Sequence, residues 1–378
     1  MRLTSIRVLC AVAGMAFLVA FNVPAQAGPI GNAANWLITQ QVSDGSFPWT
    51  PGGLVYNNTQ GATALGLVGA YGITGNLAHL QAAEGNAAYI MSPAFGHFTT
   101  NHEVHFSTAD PMFLEMLSAT TGNATYANFV QTNFWDKLTA GTYGASNNLN
   151  AAGFGAAVLA GRTGQHIVEL TPWDLSKTAI AAHIAGKAAA QTAFMGSILD
   201  ALNVTTTTPT PPSFDLSGLS GAIWASAVTG IDLDPTTGRW ASANSTADLA
   251  TMLDNFIASN GGFVYNTTAT ISDDSNADSQ VTAFAILGLA ALDPALYRTQ
   301  VAGGRAFLLG LQQGSGEIIG YPGADPNGAG SVEVHGEALY ALAATTVPEP
   351  GTLPLFVSGL IGLLVILRRR GTATAARA

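Results

Sequence analysis

Two Glu-Val-His triplets, Glu103-Val104-His105 and Glu333-Val334-His335, recur in a chain that holds only seven histidines. Between them runs an acidic stretch with Asp273, Asp274 and Asp278. Imidazole and carboxylate together are ligands for a divalent cation, and carboxylates alone suit the harder ions. Two facing carboxyl groups are also the apparatus of glycosidic bond cleavage, where one gives a proton and the other supports the addition of water. For that chemistry the pairs to consider are Asp273 or Asp274 with Glu333 or Glu337. Trp49, Tyr56, Tyr265 and Tyr321 are placed near the same segments, where flat rings would stack on sugars. Acidic residues in such loops also cap helix N-termini, a purely structural use of the same oxygens. His102 and His105 are three residues apart, so "HEVH" lacks the spacing of the HExxH zinc motif.

The segments that must position these residues repeat one pattern. "NWLITQQVSDGSFPW" leads into "VYNNTQGATALGLVGAY", "NFIASNGGFVYNTT" into "NADSQVTAFAILGLAAL", and "FLLGLQQGSGEIIGYP" into "SVEVHGEALYALAA". Each is a helix with one bulky apolar face, a glycine turn, an extended link and a second helix of small and apolar residues. Gly45, Gly262 and Gly314 stand where the chain reverses, so a left-handed backbone is expected there. The run 281–292 is apolar on every side, too short to span a membrane and free of basic flanks, which predicts a helix buried all round. Weaker pairs are expected at 77–91 with 107–120, 124–138 with 149–161, and 174–183 with 188–202, and a single helix at 216–228. The Thr/Pro run 205–212 reads as a polar linker. Alternating half-exposed and fully buried helices predict an all-α fold of two concentric rings.

The segments Gln41 to Phe47, "QVSDGSF", and Asn260 to Phe263, "NGGF", resemble the QW-type repeats of the squalene cyclase and protein prenyltransferase superfamily. That resemblance implies an α/α toroid in which the N-terminal ends of inner helices face a central cavity. It implies that His105, Asp273, Asp274, Asp278, Glu333 and His335 converge there on a polar, acidic pocket, suited to a neutral polar ligand or a divalent metal ion. Prenyltransferases hold zinc through an Asp, a Cys two residues on, and a distant His. His335 matches the last position, whereas Asn276 and Asp278 stand at the first two, so the zinc site is altered. The cyclase motifs DxDD and DCTAE are absent, and no cofactor other than a divalent metal is suggested.

The body is acidic. Of 13 Lys and Arg residues against 23 Asp and Glu, six basic ones lie at the ends: Arg2, Arg7, Arg368, Arg369, Arg370 and Arg377. Such a surface repels nucleic acid, and neutral ligands or cations are the expected partners. The first 27 residues have a basic start, an apolar run and an A-x-A site at Ala25-Gln26-Ala27, the pattern of a signal peptide removed by signal peptidase. The single cysteine, Cys10, lies inside it. The exported body, 28–346, then has no disulfide and no thiolate.

At the other end, residues 347–378 hold Pro348-Glu349-Pro350, an apolar run at 353–367 and Arg368-Arg369-Arg370. Fifteen helical residues reach about 22 Å, a thin transmembrane span against a hydrocarbon core of roughly 30 Å. The arginines suit the cytoplasmic side. This arrangement resembles the PEP-CTERM sorting signal of exported Gram-negative proteins. It implies processing by an exosortase and association with the membrane, the cell envelope or an exopolysaccharide matrix. Three functions are open at this point: a toroid that binds a polar ligand, matrix polymer or partner; a polysaccharide lyase or hydrolase on an α/α barrel; and a metal-dependent relative of the terpene cyclases and prenyltransferases.

Overall fold

The computed structural model describes residues 27–92, 95, 106–144, 148–205, 214–326, 328 and 330–346. The expected leader up to residue 26, His105, most of the linker (206–213) and the whole sorting segment from 347 onward lie outside the described residues. Six helices are buried along most of their length: α2 (Gln60–Thr74), α4 (Asp110–Thr121), α8 (Thr171–Ile184), α10 (Asp215–Thr229), α12 (Ser279–Leu292) and α14 (Ser331–Ala344). Each packs against the next, and α14 returns onto α2, so the inner ring is closed. A second layer is formed by α1 (Ala27–Gln40), α3 (Leu77–Ile90), α5 (Ala124–Val130), α9 (Ala188–Leu202), α11 (Thr246–Leu253) and α13 (Arg298–Gly310). From α5 the chain continues through a π turn (Gln131–Trp135) into α6 (Asp136–Ala140). The expected all-α toroid of two rings is what the chain forms. Among the described residues, strand pairing is limited to isolated bridges such as Pro48 with Val55 and Gln312 with Ile318, at the reversals between layers.

Glutamines just past two outer helices tie the outer layer together. Gln41, just past α1, donates its Nε2 to the carbonyls of Gly45 at 2.9 Å and of Ala82, on α3, at 2.8 Å. Gln312, just past α13, does the same to Gly316 at 3.2 Å and to Pro29, on α1, at 2.8 Å. One glutamine amide thus fixes its own turn and the next outer helix. The turns require left-handed glycines, but at Gly45, Gly261 and Gly316 (φ +91°, +86° and +99°), so two of the three expected positions are displaced by one or two residues. A Cβ on Gly45 or Gly316 would fall 2.2 or 2.4 Å from a backbone oxygen of the neighbouring outer helix.

One stretch departs from the expected pairing. The segment 149–161 was the expected inner partner of 124–138, yet the helix there, α7 (Ala151–Gly164), buries only Phe154 and Gly155. It is an additional helix resting on α8 and α9. The inner position belongs to α8, and the following α9 is the outer one. Asp174 and Lys177 disguised α8 as a half-exposed helix, because the axis of this ring is polar.

Ring closure depends on glycine. A Cβ on Gly336 of α14 would stand 2.6 Å from the Cα and carbonyl oxygen of Thr63 on α2, and one on Gly66 would stand 2.5 Å from the Gly336 oxygen. Gly336→Ala is therefore expected to lower unfolding free energy by about 1–3 kcal/mol through overpacking. Gly196→Ala, on α9 with open space around its Cβ, should raise it by about 0.5–1 kcal/mol. Urea unfolding followed by circular dichroism reads both.

Candidate functional site

The inner helices start at one end of the ring, and a cleft of about 930 Å³ opens there. Its walls carry Trp49, Tyr56, Phe106, Phe154, Trp173 and Phe214. Local sequence sets the polar groups. Pro172 in the first turn of α8 fixes where that helix begins. Asp174 and Lys177, three residues apart, then share its inward face. On α14, Glu333 lies in the first turn and Glu337 one turn later, again on one face.

Helices α8 and α14 are opposite one another in the ring of six, and side chains join them across its axis. Lys177 Nζ lies 3.0 Å from Glu337 Oε1, with both side chains almost wholly buried. Gln280, from α12, donates to Glu337 Oε2 at 2.7 Å. The Lys177 ammonium also sits 3.7 Å from the centre of the Trp173 ring and 4.7 Å from that of Phe284. Cation–π contact with two rings and one carboxylate compensates its desolvation. This group forms the floor on which the cleft ends.

Above the floor stand two further acids. Asp174 Oδ2 pairs with Arg162 Nε, from α7, at 2.5 Å, and Arg162 Nη1 also donates to Gln165 at 3.1 Å. Glu333 is raised to about 8, first by burial and then by the charge of Glu337, with Lys177 acting in the opposite sense. Both causes favour the protonated form of its carboxyl. The cleft thus carries two carboxyl groups in different surroundings, Asp174 in an ion pair with Arg162 and Glu333 beside the charge of Glu337.

The expected site residues are distributed differently from the implied cavity. Glu333 lines the cleft. Asp278 caps α12, accepting from Val281 N at 2.9 Å, and burial pushes it up to about 6. Asp274 accepts from Ser259 Oγ at 2.8 Å and Asn260 N at 3.2 Å, tying two loops together. Asp273 is exposed, and the hydroxyl and amide of Ser275 lower its pKa. His335 faces away from the axis. Its Nδ1 accepts from Ile318 N at 2.9 Å, so Nε2 carries the proton and donates to Ala33 O at 3.0 Å. Trp36 lies against the ring with centroids 4.4 Å apart, and burial holds His335 down to about 3. With both nitrogens engaged, this imidazole offers no lone pair to a metal, which corrects its assignment to the zinc-histidine position. The described residues contain no group of three His, Cys, Asp or Glu side chains suited to a metal ion. Of the expected aromatics, Trp49 and Tyr56 line the cleft, and Tyr265 and Tyr321 are not among its walls.

Sequence reasoning missed Arg162, Asp174, Lys177 and Gln280. The signal available was "TPWDLSK", a Pro-started helix with an acid and a base three residues apart on one face.

Comparison with known proteins gives two findings. The model of the PEP-CTERM protein-sorting motif matches residues 346–370. The chain therefore carries the sorting signal of exported bacterial proteins, which implies exosortase processing. No described helix is long and apolar enough to cross a membrane, and the expected span at 353–367 is outside the described residues. No curated protein matches the chain. Among solved structures, a polysaccharide lyase is similar with a TM-score of 0.50 at 15% identity, covering 86% of this chain and 99% of its own. The GH76A α-1,6-mannanase from Salegentibacter sp. HEL1_6 is similar with a TM-score of 0.51 at 12% identity, covering 84% and 99%. An inactive variant of that mannanase in complex with α-1,6-mannotriose gives 0.51 at 11% identity over the same shares. At these identities the likeness establishes the α/α-toroid fold and nothing about substrate.

Proposed function

We propose that this exported protein is a carbohydrate-active toroid that binds a neutral polysaccharide in the cleft and hydrolyses it. The carrying observation is the pair of acids in one aromatic-walled cleft, Glu333 raised by burial and the charge of Glu337 and Asp174 in an ion pair with Arg162. Environments that separate two carboxyl groups in this way suit them to opposite roles. Glu333 gives its proton to the glycosidic oxygen as the bond to the anomeric carbon breaks. Asp174 offsets the positive charge on that carbon. A water oxygen then bonds to the carbon, and its proton leaves to a carboxylate. Asp273 and Asp274 take no part, since their oxygens cap loops.

Hydrolysis is preferred to elimination on charge grounds. A lyase must neutralise the carboxylate of an acidic sugar, and the described cations of the cleft, Arg162 and Lys177, are already bound to carboxylates. A protonated Glu333 leaves the walls balanced, which favours a neutral sugar. The sugar would be a component of the cell envelope or surrounding matrix, where the C-terminal segment holds the protein. The leader 1–27, body 28–346 and sorting segment 347–378 fit that placement.

The test is release of reducing ends from a panel of neutral polysaccharides by the purified full chain. Release from at least one of them, fading above pH 8 as Glu333 loses its proton, is expected. A folded protein that releases none overturns the reading. Deletion of residues 347–378 should send the body into the medium, and unchanged retention would overturn the role given to that segment.

A further inference from the structure

Like Phe214, which is 39% exposed, two large side chains stay open while lining the cleft, Trp49 at 37% and Tyr56 at 43%. Their rings meet edge to face, with centroids 5.5 Å apart and planes at 85°. Together they make a corner with two flat apolar walls. Such surface normally costs hydration free energy unless a ligand covers it.

Both walls are anchored to inner helices. Trp49 N donates to Leu54 O at 2.8 Å, closing a hairpin, and Trp49 O accepts from Val332 N, in the first turn of α14, at 3.4 Å. Gly330 precedes that helix with φ +77°, and a Cβ there would lie 3.1 Å from Trp49 Nε1. The indole thus rests against the start of α14, close to Glu333. Tyr56 O accepts from Gln60 Nε2, at the start of α2, at 2.7 Å and from Thr59 Oγ1 at 3.1 Å. The corner is held by the starts of α2 and of α14, the helix that carries Glu333, so it is positioned before any ligand arrives.

We propose that Trp49 and Tyr56 form a stacking subsite that holds one pyranose ring of a neutral polysaccharide beside Glu333. This rests on the carbohydrate reading of the cleft. A pyranose has apolar C–H faces and a polar rim. One of its faces can lie flat on one wall while its edge meets the other, and the amide of Asn58, which also lines the cleft, is available to rim hydroxyls. Tyr265 and Tyr321 are as exposed, at 42% and 51%, but lie outside the cleft walls and take no part.

The experiment is isothermal titration of the full chain, in a zwitterionic detergent, with cellohexaose, maltohexaose and α-1,6-mannohexaose as probes. Wild type should bind at least one. Trp49→Ala and Tyr56→Ala should each weaken that binding about tenfold or more, the scale of a lost aromatic contact. Trp49→Phe should recover most of it, and Tyr321→Ala should bind as wild type. Melting curves of each variant separate lost binding from lost fold, and Trp49→Phe keeps the wall if alanine disturbs the hairpin. If wild type binds a probe and both alanine variants bind it equally well, the subsite is wrong and the carbohydrate reading stands. If wild type binds none of the three, the carbohydrate reading of the cleft fails and the subsite with it.

Discussion

Glu333→Gln should lower glycan cleavage about 10³-fold, within the range seen when a positioned general acid is removed, and leave the toroid folded. The amide keeps the shape of the carboxyl and its contacts, but has no proton to give the leaving oxygen. The pH dependence identifies the same group. Burial and the Glu337 charge raise Glu333 to about 8, so wild-type activity should persist to that pH and then fall about tenfold per unit. A carboxyl raised in this way contributes stability that is fully present below its unfolded value, near the ordinary 4.5, and that is lost as pH rises through about 8. Glutamine has no such loss. The variant should therefore be as stable as wild type in mild acid and more stable at pH 8. Loss of activity with a gain in stability is the mark of a residue kept for function. Initial rates and melting midpoints across pH 5 to 9 check both. Undiminished cleavage by Glu333→Gln would remove Glu333 from the chemistry.

Lys177→Met should have the largest effect on stability, about 3–5 kcal/mol, the cost of stranding one member of a buried ion pair. The partner left behind is Glu337, whose side chain is almost wholly buried and keeps only the Gln280 amide. Glu337→Gln should cost less, because the Lys177 ammonium retains the faces of Trp173 and Phe284. The double variant Lys177→Met/Glu337→Leu removes both charges and should recover most of the loss, since a packed apolar pair is often as stable as the ion pair it replaces. The pair joins opposite helices across the ring axis, so unfolding should remain one cooperative transition in wild type. Denaturant midpoints for wild type, Lys177→Met, Glu337→Leu and the double variant give the coupling. Additive single-variant effects would show that the two side chains do not act as a pair.

Much of the fold was legible because it rests on local rules. The glutamines past α1 and α13, the glycine turns and the all-round apolar α12 each report a ring directly. The exchange between α7 and α8 was not legible, because alanine and glycine fill the exposed helix while Asp174 and Lys177 lie inside. A closed ring has a second interior at its axis, and polar residues there invert the usual reading of burial. Part of the site was open to a geometric check. At about 100° per residue, His335 stands about 200° around α14 from Glu333, whereas Glu337 returns to the same face. The Glu-Val-His triplet of α14 therefore cannot aim both of its polar members at the axis, and its histidine serves the contact with α1 instead. The partners Asp174 and Arg162 come from segments far from α14 in sequence, and ring closure alone brings them to Glu333.

The most direct measurement is a crystal structure of Glu333→Gln with a neutral hexasaccharide that the wild-type protein cleaves. The expected result is a sugar chain along the cleft, one ring against Trp49 and Tyr56, and a glycosidic oxygen about 3 Å from the side-chain amide at position 333. A hexasaccharide bound elsewhere on the body, with the cleft empty, would contradict it.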